Sequence, residues 1–195
     1  MKRKTLAWSA ALAVLAGALV FFNLPPAREE TSMAEAAAPE PVAEWKSDAP
    51  LGHEAGQQLP DFTLTRTDGE PFTLSEHRGQ VVVINLWATW CGPCVKELPF
   101  FDALQEAHPD DVAVLAIHSD LVTEDVGAWL AAHDFGIAFA VGESGEAVSV
   151  LGGSTVLPQT VVVNPWGEVT YNQRGSVTYS SLEELVAEAK TRRPE

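Results

Sequence analysis

The chain has 195 residues, 46% of them hydrophobic, enough for one globular domain with a sizeable core and sequence to spare. Acidic residues outnumber basic ones 27 to 12, for a net charge of −15. So negative a surface excludes nucleic acid and anionic lipid headgroups as adhesion partners, and names no partner by itself.

Lys2-Arg3-Lys4 precedes an uncharged run from Leu6 to Phe22 in which Ser9 is the one polar side chain. Residues 1–22 therefore read as a signal anchor or signal peptide, just long enough to span a bilayer. No small-x-small cleavage site follows closely: Phe21 to Pro26 comes next, and Ala36-Ala37-Ala38 is too distant. The pattern favours an uncleaved anchor, with the basic flank cytoplasmic and the rest of the chain outside the cell membrane. A cleaved signal would give a secreted protein in the same compartment. Residues 23–56, with Pro25, Pro26, Pro39, Pro41 and Pro50 among alanines and scattered acids, read as a flexible stalk.

A single domain is expected over residues 57–193. Phe62 and Leu64, then Phe72 and Leu74, alternate with polar residues around Thr67-Asp68-Gly69-Glu70, which predicts a β-hairpin. Val81 to Trp87 is an unbroken apolar run, the mark of a strand buried on both faces. Leu98, Phe101 and Leu104 give the following segment a helical period, interrupted by Pro99. Val112 to Ile117 is a second apolar strand, and Thr123 caps a helix to Asp134. A short strand at 137–141 and a short helix at 144–151 come next. Val161 to Val163 turns through Asn164-Pro165-Trp166-Gly167 into a strand from Glu168 to Asn172. The last helix is expected from about Ser181, with Ser180/Glu183 and Ser181/Glu184 as capping boxes. Strands alternating with helices and closing on an antiparallel pair predict an α/β fold, a mixed central sheet with helices on both faces.

Cys91 and Cys94 are the only cysteines, and they stand where the first apolar strand feeds the helix, in Trp90-Cys91-Gly92-Pro93-Cys94. A helix N-terminus offers unpaired N–H groups and partial positive charge, which favours a thiolate there. Cys91, at the lip, reads as the attacking thiol and Cys94, one turn further in, as the resolving one. Pro93 suits a first helical turn, where its missing N–H costs nothing. A metal site would need two more ligands, and His53, His77, His108, His118 and His133 form no suitable pair. Neither a metal nor another cofactor is expected. A stapling disulfide across so short a loop would constrain little of the unfolded chain. Trp90 reads as contact surface over the dithiol and Trp87 as core. Glu97 follows Cys94 by three residues, on the same helix face, and reads either as a neighbour of the dithiol or as an ordinary solvated glutamate.

With PDFTLTRTDGEPFTLSEHRGQ before the dithiol block VVVINLWATWCGPCVKELP and VLPQTVVVNPWGEV after it, the chain resembles the thioredoxin superfamily over about residues 57–191. Within that superfamily it is similar to the TlpA/ResA-like (DsbE-like) membrane-anchored thiol–disulfide oxidoreductases. The resemblance implies a thioredoxin-like fold with an N-terminal hairpin and a central insertion. It implies a cis bond before Pro158, with the Leu157 backbone offered to an extended substrate. It also implies a Glu97 that tunes the cysteines; Asn85 stands where cytosolic thioredoxins carry a buried aspartate, so Glu97 is the candidate proton acceptor. The implied activity is reduction of disulfides in partner proteins, such as apocytochrome c or a methionine sulfoxide reductase, with re-reduction by a membrane donor of the CcdA or DsbD kind. Two other readings are a thiol peroxidase of related fold and a non-catalytic binding module. The peroxidase motif wants a threonine three residues before the reactive cysteine, where this chain has Ala88.

Overall fold

Two consecutive runs of apolar residues make the centre of the sheet. The computed structural model describes residues 49–119, 126–142, 148–149, 151–152 and 156–193. The chain divides into two units, Met1–Glu40 and Pro41–Glu195, and every described residue belongs to the second. The expected anchor, the stalk through residue 48, the Thr123 cap and most of the helix expected at 144–151 lie outside the described residues. No described helix is long and apolar enough to cross a membrane.

A hairpin of β1 (Thr63–Thr65) and β2 (Pro71–Thr73) opens the domain, paired Thr63 to Thr73. Gly69 takes the positive φ of its turn, at 91°. Leu74, expected in the second strand, instead starts a 3-10 helix to His77 and is buried. The main sheet follows with β3 (Val81–Trp87), β4 (Val112–His118), β5 (Ala138–Val141), β6 (Gln159–Val163) and β7 (Val169–Arg174), in the order β5-β4-β3-β6-β7. β3 runs parallel to β4 from Val81/Val112 to Trp87/His118, and β4 parallel to β5; β6 and β7 are antiparallel additions. Every residue of β3, β4 and β6 is buried, as runs without polar alternation require.

Alternation along the strands separates two cores. Val81, Val83, Trp87, Val112, Val114 and Ala116 face α1 (Gly92–Ala107) and α3 (Tyr179–Thr191), packing on Leu98, Phe101, Leu104, Leu182 and Val186. α2 (Val126–Ala131) joins the same side through Val126 and Trp129. Val82, Ile84, Leu86, Leu115 and Ile117 face the other way, under Leu59, Phe72, Leu74 and Leu151. α1, α2 and α3 thus share one face, and the hairpin, the 3-10 helix, the segment before the hairpin and the helical residue Val148 cover the other. That segment begins inside the region whose composition suggests a stalk. Its backbone is nevertheless paired: Gln58 N–H with Pro50 O, Gly56 N–H with Val169 O, and Leu59 N–H with Gly167 O. Hydrogen bonding carries the folded part back to Pro50, which proline and alanine content does not reveal.

α1 runs unbroken through Pro99. α3 starts two residues before the expected Ser181 and is capped by Thr178, whose Oγ1 accepts from Ser181 N–H while Ser181 Oγ accepts from Thr178 N–H. Glu183, expected in a capping box, acts elsewhere, accepting from Tyr179 Oη and pairing with His108 Nε2 at 2.9 Å. Tyr179 and His108 together hold the Glu183 carboxyl below its usual range. Thr178→Ala should remove one cap and cost about 1 kcal/mol, seen as a fall in Tm of roughly 2–4 °C.

Candidate active site

β3 delivers the chain to the dithiol. After Trp87 a short loop, Ala88 to Trp90, leads to Cys91, the N-cap of α1, with extended backbone at φ −85° and ψ 94°. Cys91 Sγ accepts from Cys94 N–H at 3.3 Å, occupying the place a serine or threonine oxygen takes in an ordinary cap. The two cysteines are joined as a disulfide with Cα atoms 5.3 Å apart. Cys94 is fully buried, and Cys91 keeps 5% of its surface, so of the two cysteines only Cys91 reaches the expected lip. Trp90 beside it is 54% exposed. Pro93 lies in the first helical turn. At Gly92 a Cβ would meet nothing within 4 Å and φ is not positive, so the backbone does not require glycine there.

Trp87 is wholly buried, edge-on to His118 and Phe139 and tilted against Trp129. His118 carries no motif that would single it out in the sequence. It closes β4 opposite Trp87, and its Nε2 accepts from Thr89 N–H at 3.3 Å, tying the dithiol loop to the sheet. The register is what reveals it, since a polar residue at the end of an all-apolar strand borders the site.

Leu86 pairs with Gln159 across β3 and β6, so Pro158, one residue further, lies level with Trp87 at the mouth of the dithiol loop. The Leu157–Pro158 bond is cis, Pro158 is buried, and Leu157 packs against the core that contains both cysteines. Pro158 O accepts from Gly175 N–H at 2.9 Å, which joins this loop to the turn between β7 and α3. Gly175 and Val177 act through backbone groups, which no residue pattern announces.

Glu97 is not a solvated helix residue. It is 1% exposed and sits between three elements. Oε1 accepts from Asn85 Nδ2 of β3 at 2.9 Å, and Oε2 from Val177 N–H, just before α3, at 3.1 Å. Burial raises the carboxyl above its usual range, and the two donors offset only part of that. Among the described residues no group of three or more metal-ligating side chains gathers.

The redoxin family profile matches residues 54–188, most of the chain. The chain belongs to this family. It is 32% identical over 131 residues to the thiol–disulfide oxidoreductase ResA of Geobacillus kaustophilus, covering 66% of this chain and 74% of that protein. It is 28% identical to the sporulation thiol–disulfide oxidoreductase A of Bacillus subtilis, over 74% of this chain and 89% of the other. A crystal structure from Chlorobium tepidum, described as a putative thiol:disulfide interchange protein DsbE, superposes with a TM-score of 0.63 at 27% identity, covering 70% of this chain and 97% of that one. This redoxin is thus a ResA-like member of the thioredoxin superfamily, with its mixed sheet, flanking helices and N-terminal two-stranded sheet. It is a thiol–disulfide oxidoreductase, and its substrates are proteins.

Proposed function

We propose that this oxidoreductase works outside the cytoplasm, anchored through residues 1–22, and reduces disulfides in partner proteins through Cys91 and Cys94. One observation carries the assignment of roles: Cys91, whose Sγ caps α1, keeps a little surface while Cys94 is fully buried. The reduced enzyme begins with Cys91 as thiolate, favoured by the helix N-terminus. It attacks a substrate sulfur; a Cys91–substrate bond forms and the substrate S–S bond breaks, its other sulfur leaving as a thiolate that takes a proton from solvent. Glu97 then removes the Cys94 proton. The Cys94 thiolate attacks Cys91 Sγ, the 91–94 bond forms, and the remaining substrate sulfur departs with the bonding pair and is protonated. Burial supports Glu97 as acceptor, because a carboxyl raised toward neutrality is better matched to a thiol than an ordinary one. Trp90, Leu157 and Pro158 would form the contact surface, with Gly92 and Pro93 shaping the turn between the cysteines. Exposed Trp90 and Val156 give that surface an apolar character suited to an unfolded client segment. By family likeness the client would be of the apocytochrome c or methionine sulfoxide reductase kind, and the electron source a membrane donor of the CcdA or DsbD kind.

The test is the equilibrium reduction potential of the full chain in graded thiol–disulfide buffers. A value well below about −200 mV is expected, that of a reductant. A value near about −120 mV would make the protein an oxidant and reverse the assignment.

A further inference from the structure

The Asn85–Glu97 contact leaves one polar atom over. Asn85 Nδ2 donates to Glu97 Oε1 at 2.9 Å and lies 3.5 Å from Gln159 O. Asn85 Oδ1 is buried and has no hydrogen-bond partner. Both residues are essentially inaccessible, at 0% and 1%. A buried acceptor without a donor is a standing cost, and native interiors keep few of them.

The missing donor exists in the other protonation state of Glu97. As a carboxylate, Glu97 needs donors on both oxygens, and Asn85 N–H and Val177 N–H supply them. Once Glu97 is a carboxylic acid, Oε2 must still accept from Val177 N–H, so the proton belongs on Oε1. There it would face the Asn85 amide N–H, donor against donor. Half a turn of the amide presents Oδ1 instead and gives the new O–H an acceptor.

We propose that the Asn85 side-chain amide turns over each time Glu97 takes up a proton, making Asn85 a positioning residue for proton transfer at the dithiol. The inference rests on Glu97 as acceptor of the Cys94 proton. Turning also withdraws Nδ2 from Gln159 O, next to Pro158, so the β6 end of the site feels which state Glu97 is in. No charged side chain among the described residues competes for control. β3 offers Glu97 the neutral Asn85, and the β7–α3 turn offers it a backbone N–H. α1 brings Cys94, titratable only when the disulfide is open.

The experiment is NMR of the full chain, reduced and oxidised, with 15N-asparagine and 13C-glutamate labels over a pH series. The Glu97 carboxyl carbon should titrate, and the NOE partners of the Asn85 Nδ2 protons should exchange with the same midpoint. A titrating Glu97 beside an Asn85 whose NOE partners stay fixed would overturn the turning amide and leave Glu97 as acceptor. A Glu97 that does not titrate would overturn both. Asn85→Leu, which can neither donate nor accept, adds a kinetic arm. Mixed-disulfide resolution by Cys94 should slow roughly tenfold near neutral pH, the scale of one lost hydrogen bond to a charged group, with its pH midpoint moved upward. Loss of stability with an unchanged pH profile would reduce Asn85 to a structural role and overturn the proposal.

Discussion

A Cys94→Ser variant should hold on to its substrate. Cys91 can still attack, but the mixed disulfide then has no second thiol to resolve it, because the chain has only two cysteines. Intact-mass analysis after incubation with a disulfide-containing protein should show the covalent adduct, and turnover should fall on the order of a thousandfold. Cys91→Ser should lose turnover by a similar factor and form no adduct, since Cys94 is fully buried. The two substitutions differ structurally. Serine at 91 is a good helix cap, and its Oγ can accept from the residue 94 N–H as Sγ does now, so the fold should be undisturbed. Serine at 94 places a hydroxyl in an apolar cluster with Leu98 and Phe101, so Cys94→Ala is the control for packing. An adduct forming in the Cys91→Ser protein but not in the Cys94→Ser protein would reverse the roles of the two thiols.

Much of this site is legible in the sequence because its chemistry is written in contiguous residues. A seven-residue apolar strand, a Cys-x-x-Cys pair and a proline in the first turn are enough to identify a strand–dithiol–helix unit. Parallel pairing of β3 with β4 and the antiparallel β6–β7 addition follow from the order and spacing of apolar runs. What stays hidden depends on which residues meet across the sheet. Helical spacing puts Glu97 near Cys94, yet its burial follows from Asn85 on β3 and Val177 beyond β7, partners 12 and 80 residues away. His118 falls just past the strand expected from Val112 to Ile117 and carries no motif until the register sets it beside Trp87 and the Thr89 N–H. Residues 50–56 carry the composition of a linker, yet their backbone groups find partners in Gln57 and Gln58 and, through Gly56 and Val169, on the edge of β7. The start of α3 differs from expectation for a local reason. Two serines and two glutamates offer plausible boxes, while Thr178 and Ser181 form the actual one, which lacks the usual acid.

Glu97 should give the protein an unusual pH response. Burial holds its folded-state carboxyl above the value it has in the unfolded chain. The folded state therefore binds the proton more tightly, and this group's contribution to stability is full below the unfolded value and lost as pH rises through the folded one. Asp111 and Glu183 have the opposite shift, lowered by Lys190 and by Tyr179 and His108 respectively, so their contributions are lost as pH falls. Those two effects are common to wild type and Glu97 variants and cancel in a difference. Stability of wild type minus that of Glu97→Gln, from urea titrations at a series of pH values, should therefore decline from the ordinary glutamate range upward, because glutamine cannot ionise. Glu97→Gln should itself be tolerated, with Oε1 accepting from Val177 N–H and Nε2 donating to Asn85 Oδ1 once that amide has turned. Glu97→Leu has no such remedy. It leaves Val177 N–H buried without an acceptor and takes from Asn85 its partner on α1, with only the 3.5 Å contact of Nδ2 to Gln159 O remaining, each loss costing about 1–3 kcal/mol. A total loss of about 2–6 kcal/mol is expected in acid, shrinking at higher pH where wild type bears the cost of a buried charge. A flat or rising difference curve for Glu97→Gln would mean that the carboxylate is as well solvated in the fold as out of it. Glu97 would then have no special claim on the Cys94 proton.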